Sequence, residues 1–191
     1  NGEIKHKIHN NKTYIIKKRN GMLSVGQFKL KGRKVKKLKP LKNEWFAQDF
    51  LNDCSKKFYK TYFRLITLYN GECLSLIQIK EPTNLPVSMH YSRAMTKVKT
   101  CNNFKCNSLN TKQQKMMNNI KDKLMIWHKN NASDVISIGW DIMFACKNNK
   151  EDIYVLEGNL AHSHYWRSNS NKQLKKFKNI AIKFYKEQGL F

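Results

Sequence analysis

Three oxygen-bearing side chains stand out because apolar strands surround them. Asp141 interrupts Ile138-Gly139-Trp140-Asp141-Ile142, and Glu157 and Asn159 close the run Tyr154-Val155-Leu156-Glu157-Gly158-Asn159. In an extended strand, residues i and i+2 face the same side, so Glu157 and Asn159 point together. Antiparallel pairing of the two runs then brings Asp141 to the same spot. Hard oxygen ligands with positions left open for water suit a Mg²⁺ that also holds phosphate oxygens. A charge inside an apolar strand is costly without a partner, and a metal is such a partner. The plainer alternative is a turn-proximal aspartate and a strand end closed by a glycine turn.

The elements that must position these groups follow from the residue pattern. Residues 13–17 read as a strand, 20–26 as a loop holding Gly21, Ser24 and Gly26, and 27–30 as the returning strand of a hairpin. The basic stretch 31–42, closed by Pro40, reads as a turn plus a ragged strand. Residues 45–51 form a strand that runs into the turn Asn52-Asp53. Residues 59–69 and 73–80 pattern as an antiparallel hairpin around Asn70-Gly71. The prolines make 81–86 a loop, and 87–105 is left unassigned. Residues 110–129 are the clearest helix, capped by Asn110 or Thr111, with a core stripe that includes Met116, Met117, Ile120, Leu124 and Trp127. Residues 135–144 and 153–158 are two strands joined by a polar turn. Residues 174–188 form a basic amphipathic helix ended by Gly189. Strands first, then helix, strand pair and helix, predict an α+β or mixed α/β fold with antiparallel sheets.

Gly-Trp-Asp, a turn, and an apolar strand ending Glu-Gly-Asn resemble the metal-binding strands of the ATP-grasp superfamily. The resemblance is closest to the sugar-transfer-associated branch and looser to the tubulin-tyrosine-ligase-like enzymes. It spans about residues 13–160. It implies two small α/β lobes with antiparallel sheets enclosing a nucleotide cleft: a nucleotide-binding lobe of residues 1–52, and a metal-binding lobe of residues 53–191 with the basic helix at its end. By that resemblance Asp141, Glu157 and Asn159 bind Mg²⁺. Ile15-Ile16-Lys17 is similar to the strand whose lysine contacts ATP phosphates. Gly21, Ser24 and Gly26 are similar to the small-residue loop that covers those phosphates, where backbone N–H groups approach anions closely. Gln48, Asp49, Phe50 and Leu51 match the hinge strand whose main chain holds adenine, and Asp53 falls where the ribose sits. Arg64, flanked by apolar residues, matches the arginine that faces the transferred phosphate. The implied activity is Mg²⁺-ATP-dependent ligation: a carboxylate is phosphorylated and an amine displaces the phosphate, with Lys17 and Arg64 neutralising phosphate charge. The acceptor is not named by the sequence, and a phosphoryl transferase on the same fold differs only in that acceptor.

The composition admits a second expectation. Lys and Arg number 37 against 13 Asp and Glu, a formal charge of +24, which attracts polyanions. The clusters at 29–42 and 172–186 are the best places for a nucleic-acid or other polyanion contact. The segment before Ile15 shows neither the N-terminal domain nor the additional phosphate-binding lysine of the relatives. A reduced, inactive ATP-grasp fold serving as a basic structural or nucleic-acid-binding subunit is the alternative. No apolar run is long enough for a membrane span. The five cysteines are irregularly spaced. Cys101 and Cys106 resemble half a zinc site, but no second pair follows, so reduced thiols and an intracellular, cytoplasmic address are expected. His162 and His164 read as a surface turn.

Overall fold

The structure is a computed structural model that describes residues 8–18, 28–37, 45–51, 59–82, 97–147, 150–160 and 171–190. Gly21, Ser24, Gly26, Asp53, Cys54, His162 and His164 lie outside these residues. The chain divides into two compact units, with described parts in residues 8–51 and 59–190 respectively.

The first unit is built on β1 (Thr13–Lys18), which pairs antiparallel with β2 (Phe28–Lys31) on one side and β3 (Trp45–Asp49) on the other. Tyr14 and Ile16, two apart on β1, share a face and pack with Val35 in a small core. Val35 comes from α1 (Gly32–Val35), one helical turn. The expectation of a ragged strand from residue 31 is corrected here. The chain leaves β2 by a tight helical turn, because the Gly32 N–H donates to the Lys12 carbonyl at 2.8 Å and holds the strand end against β1.

The second unit is one antiparallel sheet in the order β6-β5-β4-β7-β8. Its strands are β4 (Tyr59–Leu68), β5 (Cys73–Pro82), β6 (Lys97–Thr100), β7 (Ser137–Lys147) and β8 (Lys150–Asn159). The β4–β5 turn needs Gly71, which sits at φ +82°. Every residue from Tyr62 to Leu68 is buried, so β4 is covered on both faces and its sequence shows a nearly continuous apolar run. One face carries Phe63, Leu65, Leu76, Trp140 and Ile142, and packs under α2 (Thr111–Asn131) through Met117 and Leu124. Asn110 caps α2 with Gln113 in a reciprocal capping box, a sequence signature of a helix start. The last helix, α3 (Asn171–Glu187), presents Phe184, 5% exposed, edge-on to Tyr69 with ring centroids 4.8 Å apart.

One core assignment on α2 is corrected. Trp127 is 47% exposed and lies edge-on to Trp140, while His128 takes the fully buried position. His128 completes a polar network inside the sheet–helix core. Its Nε2 faces the Val135 carbonyl at 2.7 Å, so Nε2 carries the proton and donates. Nδ1 then accepts from the Thr67 hydroxyl at 2.8 Å, and Trp140 Nε1 donates to the same Thr67 oxygen at 2.8 Å. Burial holds the His128 pKa below its ordinary value, against the opposing pull of the Val135 and Ala132 carbonyls. The unfolded chain therefore binds a proton on this imidazole at a pH where the folded chain does not. That part of the stability is present above about pH 6.5 and is lost as pH falls below it. The urea midpoint is expected to drop between about pH 7.5 and 5.5 in the native protein and to drop less in His128→Leu. Equal drops would show that the network does not titrate.

The cysteine expectation is also corrected. Cys101 and Cys106 form a disulfide with Cα atoms 4.7 Å apart. A tight turn between them, with Asn103 and Phe104 both at positive φ, folds the segment back on itself and brings the two sulfurs together. Cys146 is disulfide-bonded as well. These bonded cysteines differ from the reduced thiols expected of a cytoplasmic address, and Cys101 and Cys106 have no sulfur left for zinc. Among the described residues Cys73 is the free thiol, and burial pushes it up to about 12, which leaves it unreactive. No helix among the described residues is long and apolar enough to cross a membrane.

Candidate functional site

On the sheet face opposite α2, the register aligns Ile77, Arg64, Asp141 and Glu157 across β5, β4, β7 and β8. An irregularity on β8 makes this row. Asp141 pairs with Glu157, but the next residue, Ile142, pairs with Val155, so Leu156 is the extra residue of a β-bulge. In a regular strand Glu157 and Val155 would share a face. With the bulge, Val155 packs with Ile153 into the core under α2, while Glu157 joins Asp141 and Asn159.

Arg64 and Asp141 are 3% and 7% exposed. Arg64 Nε donates to Asp141 Oδ1 and Nη2 to Oδ2, both at 2.7 Å, a two-pronged charged pair. Burial opposes the guanidinium charge, but the Asp141 hydrogen bonds and charge, helped by Glu157, win, so the Arg64 pKa is raised above its ordinary value. Asn159 Nδ2 donates to Asp141 Oδ2 at 3.2 Å and to Glu157 Oε1 at 3.3 Å. The cluster thus grades from a buried pair to the exposed Glu157 carboxylate.

The structure therefore brings together Asp141, Glu157 and Asn159, the three residues expected to hold a metal. It also pairs Arg64 with Asp141, whereas the sequence expectation sets Arg64 against phosphate and Asp141 against metal. A buried charge of each sign on neighbouring antiparallel strands was the available signal. Two carboxylates and an amide form an all-oxygen donor set once the Asn159 amide turns its Oδ1 toward the cation, and one guanidinium against two carboxylates leaves a net negative charge. Both features fit a hard divalent cation such as Mg²⁺. Among the described residues no group of three or more His, Cys, Asp or Glu side chains is placed to hold a metal ion, so the Asn159 amide is part of the donor set proposed here.

In the first unit, Lys17 lies on β1 opposite Phe46 and is half-buried. Gln48 and Asp49 lie on β3 opposite Ile15 and Tyr14. Asp49 is exposed and 3.8 Å from Lys12. Phe50 continues the pairing through its N–H to the Thr13 carbonyl at 2.9 Å, and Lys29 Nζ stands 3.6 Å from the centre of its ring. Leu51 is half-buried. Among the described strands β3 pairs on one side only, with β1, and so forms an edge of this sheet.

No protein-family model and no curated protein matches this sequence. Among solved structures, the fold is similar to that of D-cycloserine synthetase DcsG, an ATP-grasp enzyme, with a TM-score of 0.54 and 12% sequence identity. The match covers 91% of this chain and 56% of that one, so this chain spans little more than half the length of that structure. At such identity the likeness concerns fold alone, and it agrees with the element order above: the chain is α+β, with an antiparallel sheet in each of its two units, consistent with an ATP-grasp-like fold.

Proposed function

We propose that this chain binds Mg²⁺-ATP and acts as an ATP-grasp carboxylate–amine ligase or a related phosphoryl transferase. The observation that carries this reading is the convergence of Asp141, Glu157 and Asn159 across the β7–β8 bulge, beside the buried Arg64. Asp141, Glu157 and Asn159 would hold Mg²⁺, which supplies charge neutralisation at the phosphates. Arg64 and Lys17 would add positive charge where negative charge accumulates during phosphoryl transfer. The β3 segment, at Gln48 and Asp49 and continuing through Phe50 and Leu51, would hold the adenine through its main chain, with Asp53 at the ribose. Gly21, Ser24 and Gly26 keep their sequence-based assignment as the loop over the phosphates. The acceptor is left open.

One observation favours a second reading. Arg64 already gives the buried Asp141 a charged partner, so the burial of that acid is accounted for without a metal. A fold kept for its surface, with Lys175, Lys176, Lys178, Lys183 and Lys186 all exposed on α3, would bind a polyanion without catalysis. Calorimetry with ATP, with and without Mg²⁺, separates the two. Mg²⁺-dependent binding that is lost in Glu157→Gln supports the first reading. Glu157→Gln is the cleaner variant, because Asp141→Asn also disturbs the buried Arg64. A folded protein that ignores ATP but binds nucleic acid with a steep salt dependence supports the second.

A further inference from the structure

The other face of the same sheet carries a second polar site. Gln78 pairs with Phe63 across β4–β5 and with Lys99 across β5–β6, so it lies on the α2 side, whereas Arg64 and Asp141 lie on the opposite side. Beyond Gln78, where β6 ends and the disulfide-closed turn begins, there is a concavity of about 330 Å³. Gln78, Lys80, Lys99, Lys105, Asn107 and Ser108 border it, and no carboxylate does among the described residues. Among the described residues, none of the three lysines is within ion-pair distance of an acid.

The tip that presents Lys105 is held in place at a conformational cost. Asn102 and Lys105 bridge, with the Lys105 N–H on the Asn102 carbonyl at 2.8 Å, and the two residues between them sit at φ 46° and 61°. This is the geometry of a two-residue primed turn, which ordinarily takes Asn-Gly; Asn103 suits the first position, and Phe104 stands where glycine would. Non-glycine residues stay left-handed only where their surroundings over-determine them, and such positions cluster at ligand sites. Here the surroundings are the Cys101–Cys106 disulfide and the Gln114 amide. Gln114 Nε2 donates to the Phe104 carbonyl at 3.0 Å, and its Oε1 accepts from the Cys106 N–H at 3.3 Å. Inside the concavity, the buried Gln78 amide donates to Ser108 Oγ at 2.6 Å, which leaves the Ser108 proton to donate to a ligand.

We propose that this concavity binds a compact oxyanion, a phosphoryl group carried free or as the monoester of a small molecule. Three ammonium groups around one hollow repel one another, and an anion in that hollow converts the repulsion into attraction. The rigid turn aims Lys105, while Ser108 and the asparagine amides supply directional donors. The site stands on different residues from the proposed nucleotide site and does not depend on ATP binding.

The test is an amide NMR titration of the whole chain at constant ionic strength, first with inorganic phosphate and then with glycerol 3-phosphate. Saturable shifts confined to residues 99–108 are expected, with Lys99→Glu/Lys105→Glu weakening the binding by roughly tenfold or more. Lys123→Glu/Lys129→Glu, at exposed positions farther along α2, removes the same charge elsewhere and should leave the affinity unchanged. Tighter binding of the monoester would identify a phosphorylated small molecule as the ligand, and equal binding would identify free phosphate. Diffuse unsaturable shifts, or equal weakening by both double variants, would overturn the proposal, because general basicity would then account for the effect. So would a single-stranded oligonucleotide that binds through Lys99 and Lys105 when phosphate does not.

Discussion

Asp141→Ala is expected to lower the unfolding free energy by about 3–5 kcal/mol, because it strands the Arg64 guanidinium without its partner in a buried position. Arg64→Met should cost a similar amount, since it leaves the Asp141 carboxylate facing Glu157 across the β7–β8 register. Arg64→Met/Asp141→Leu together should recover most of the loss, because a well-packed apolar pair avoids desolvating either charge. Urea denaturation of the two singles and the double gives the coupling directly. Additive losses would mean that the 2.7 Å geometry contributes little. The same variants probe the metal reading without any activity assay. If Asp141, Glu157 and Asn159 are ligands, Mg²⁺ should raise the melting temperature of Arg64→Met more than that of the native chain. A cation that binds only the folded state stabilises it by mass action, and the competing guanidinium is gone. No Mg²⁺-dependent rise in either protein would remove these residues as a metal site and leave a structural ion pair.

The parts of the fold legible in the sequence are those set by local chemistry. Asn70-Gly71 marks the β4–β5 hairpin because the turn needs a residue at positive φ. Asn110 and Gln113 announce α2 through the capping box. The α+β class with antiparallel sheets follows from element order, and the structure and its likeness to D-cycloserine synthetase agree with it. What escaped depends on contacts distant in sequence. Trp127 and His128 are adjacent on α2, and helical spacing alone favours the larger apolar residue for the core. The core instead takes His128, because Thr67 on β4 and the Val135 carbonyl satisfy both ring nitrogens. β6 is short, and among the described strands β5 alone flanks it. The disulfide needed the turn at Asn103 and Phe104, residues with no glycine to advertise it. In the candidate site the residue types were legible, but the bulge at Leu156 and the Arg64–Asp141 partnership were not. Both are properties of strand register, which a single strand's alternation does not contain.

Gly158→Ala should destabilise the protein by about 1–3 kcal/mol, the usual cost of overpacking, and should weaken any ligand held by its neighbours. A Cβ on Gly158 would lie 2.9 and 3.1 Å from Cζ3 and Cε3 of Trp140, and 3.3 Å from Cγ2 of Ile138. The indole has little room to yield: it is 9% exposed, donates to Thr67 and meets Trp127 edge-on at 5.4 Å. β8 must therefore lift away from Trp140, and Glu157 and Asn159, on either side of Gly158, must move with it. In a Trp140→Leu background the ring is absent and the same alanine should cost much less, a coupling that thermal melts of the four proteins would measure. Glu157 and Asn159 should then respond as one unit: Gly158→Ala is expected to weaken Mg²⁺-dependent ATP binding although the substitution touches neither side chain. ATP affinity that stays unchanged in a measurably destabilised Gly158→Ala would show that the nucleotide does not use the end of β8, and the ligand set would have to be sought elsewhere on the sheet.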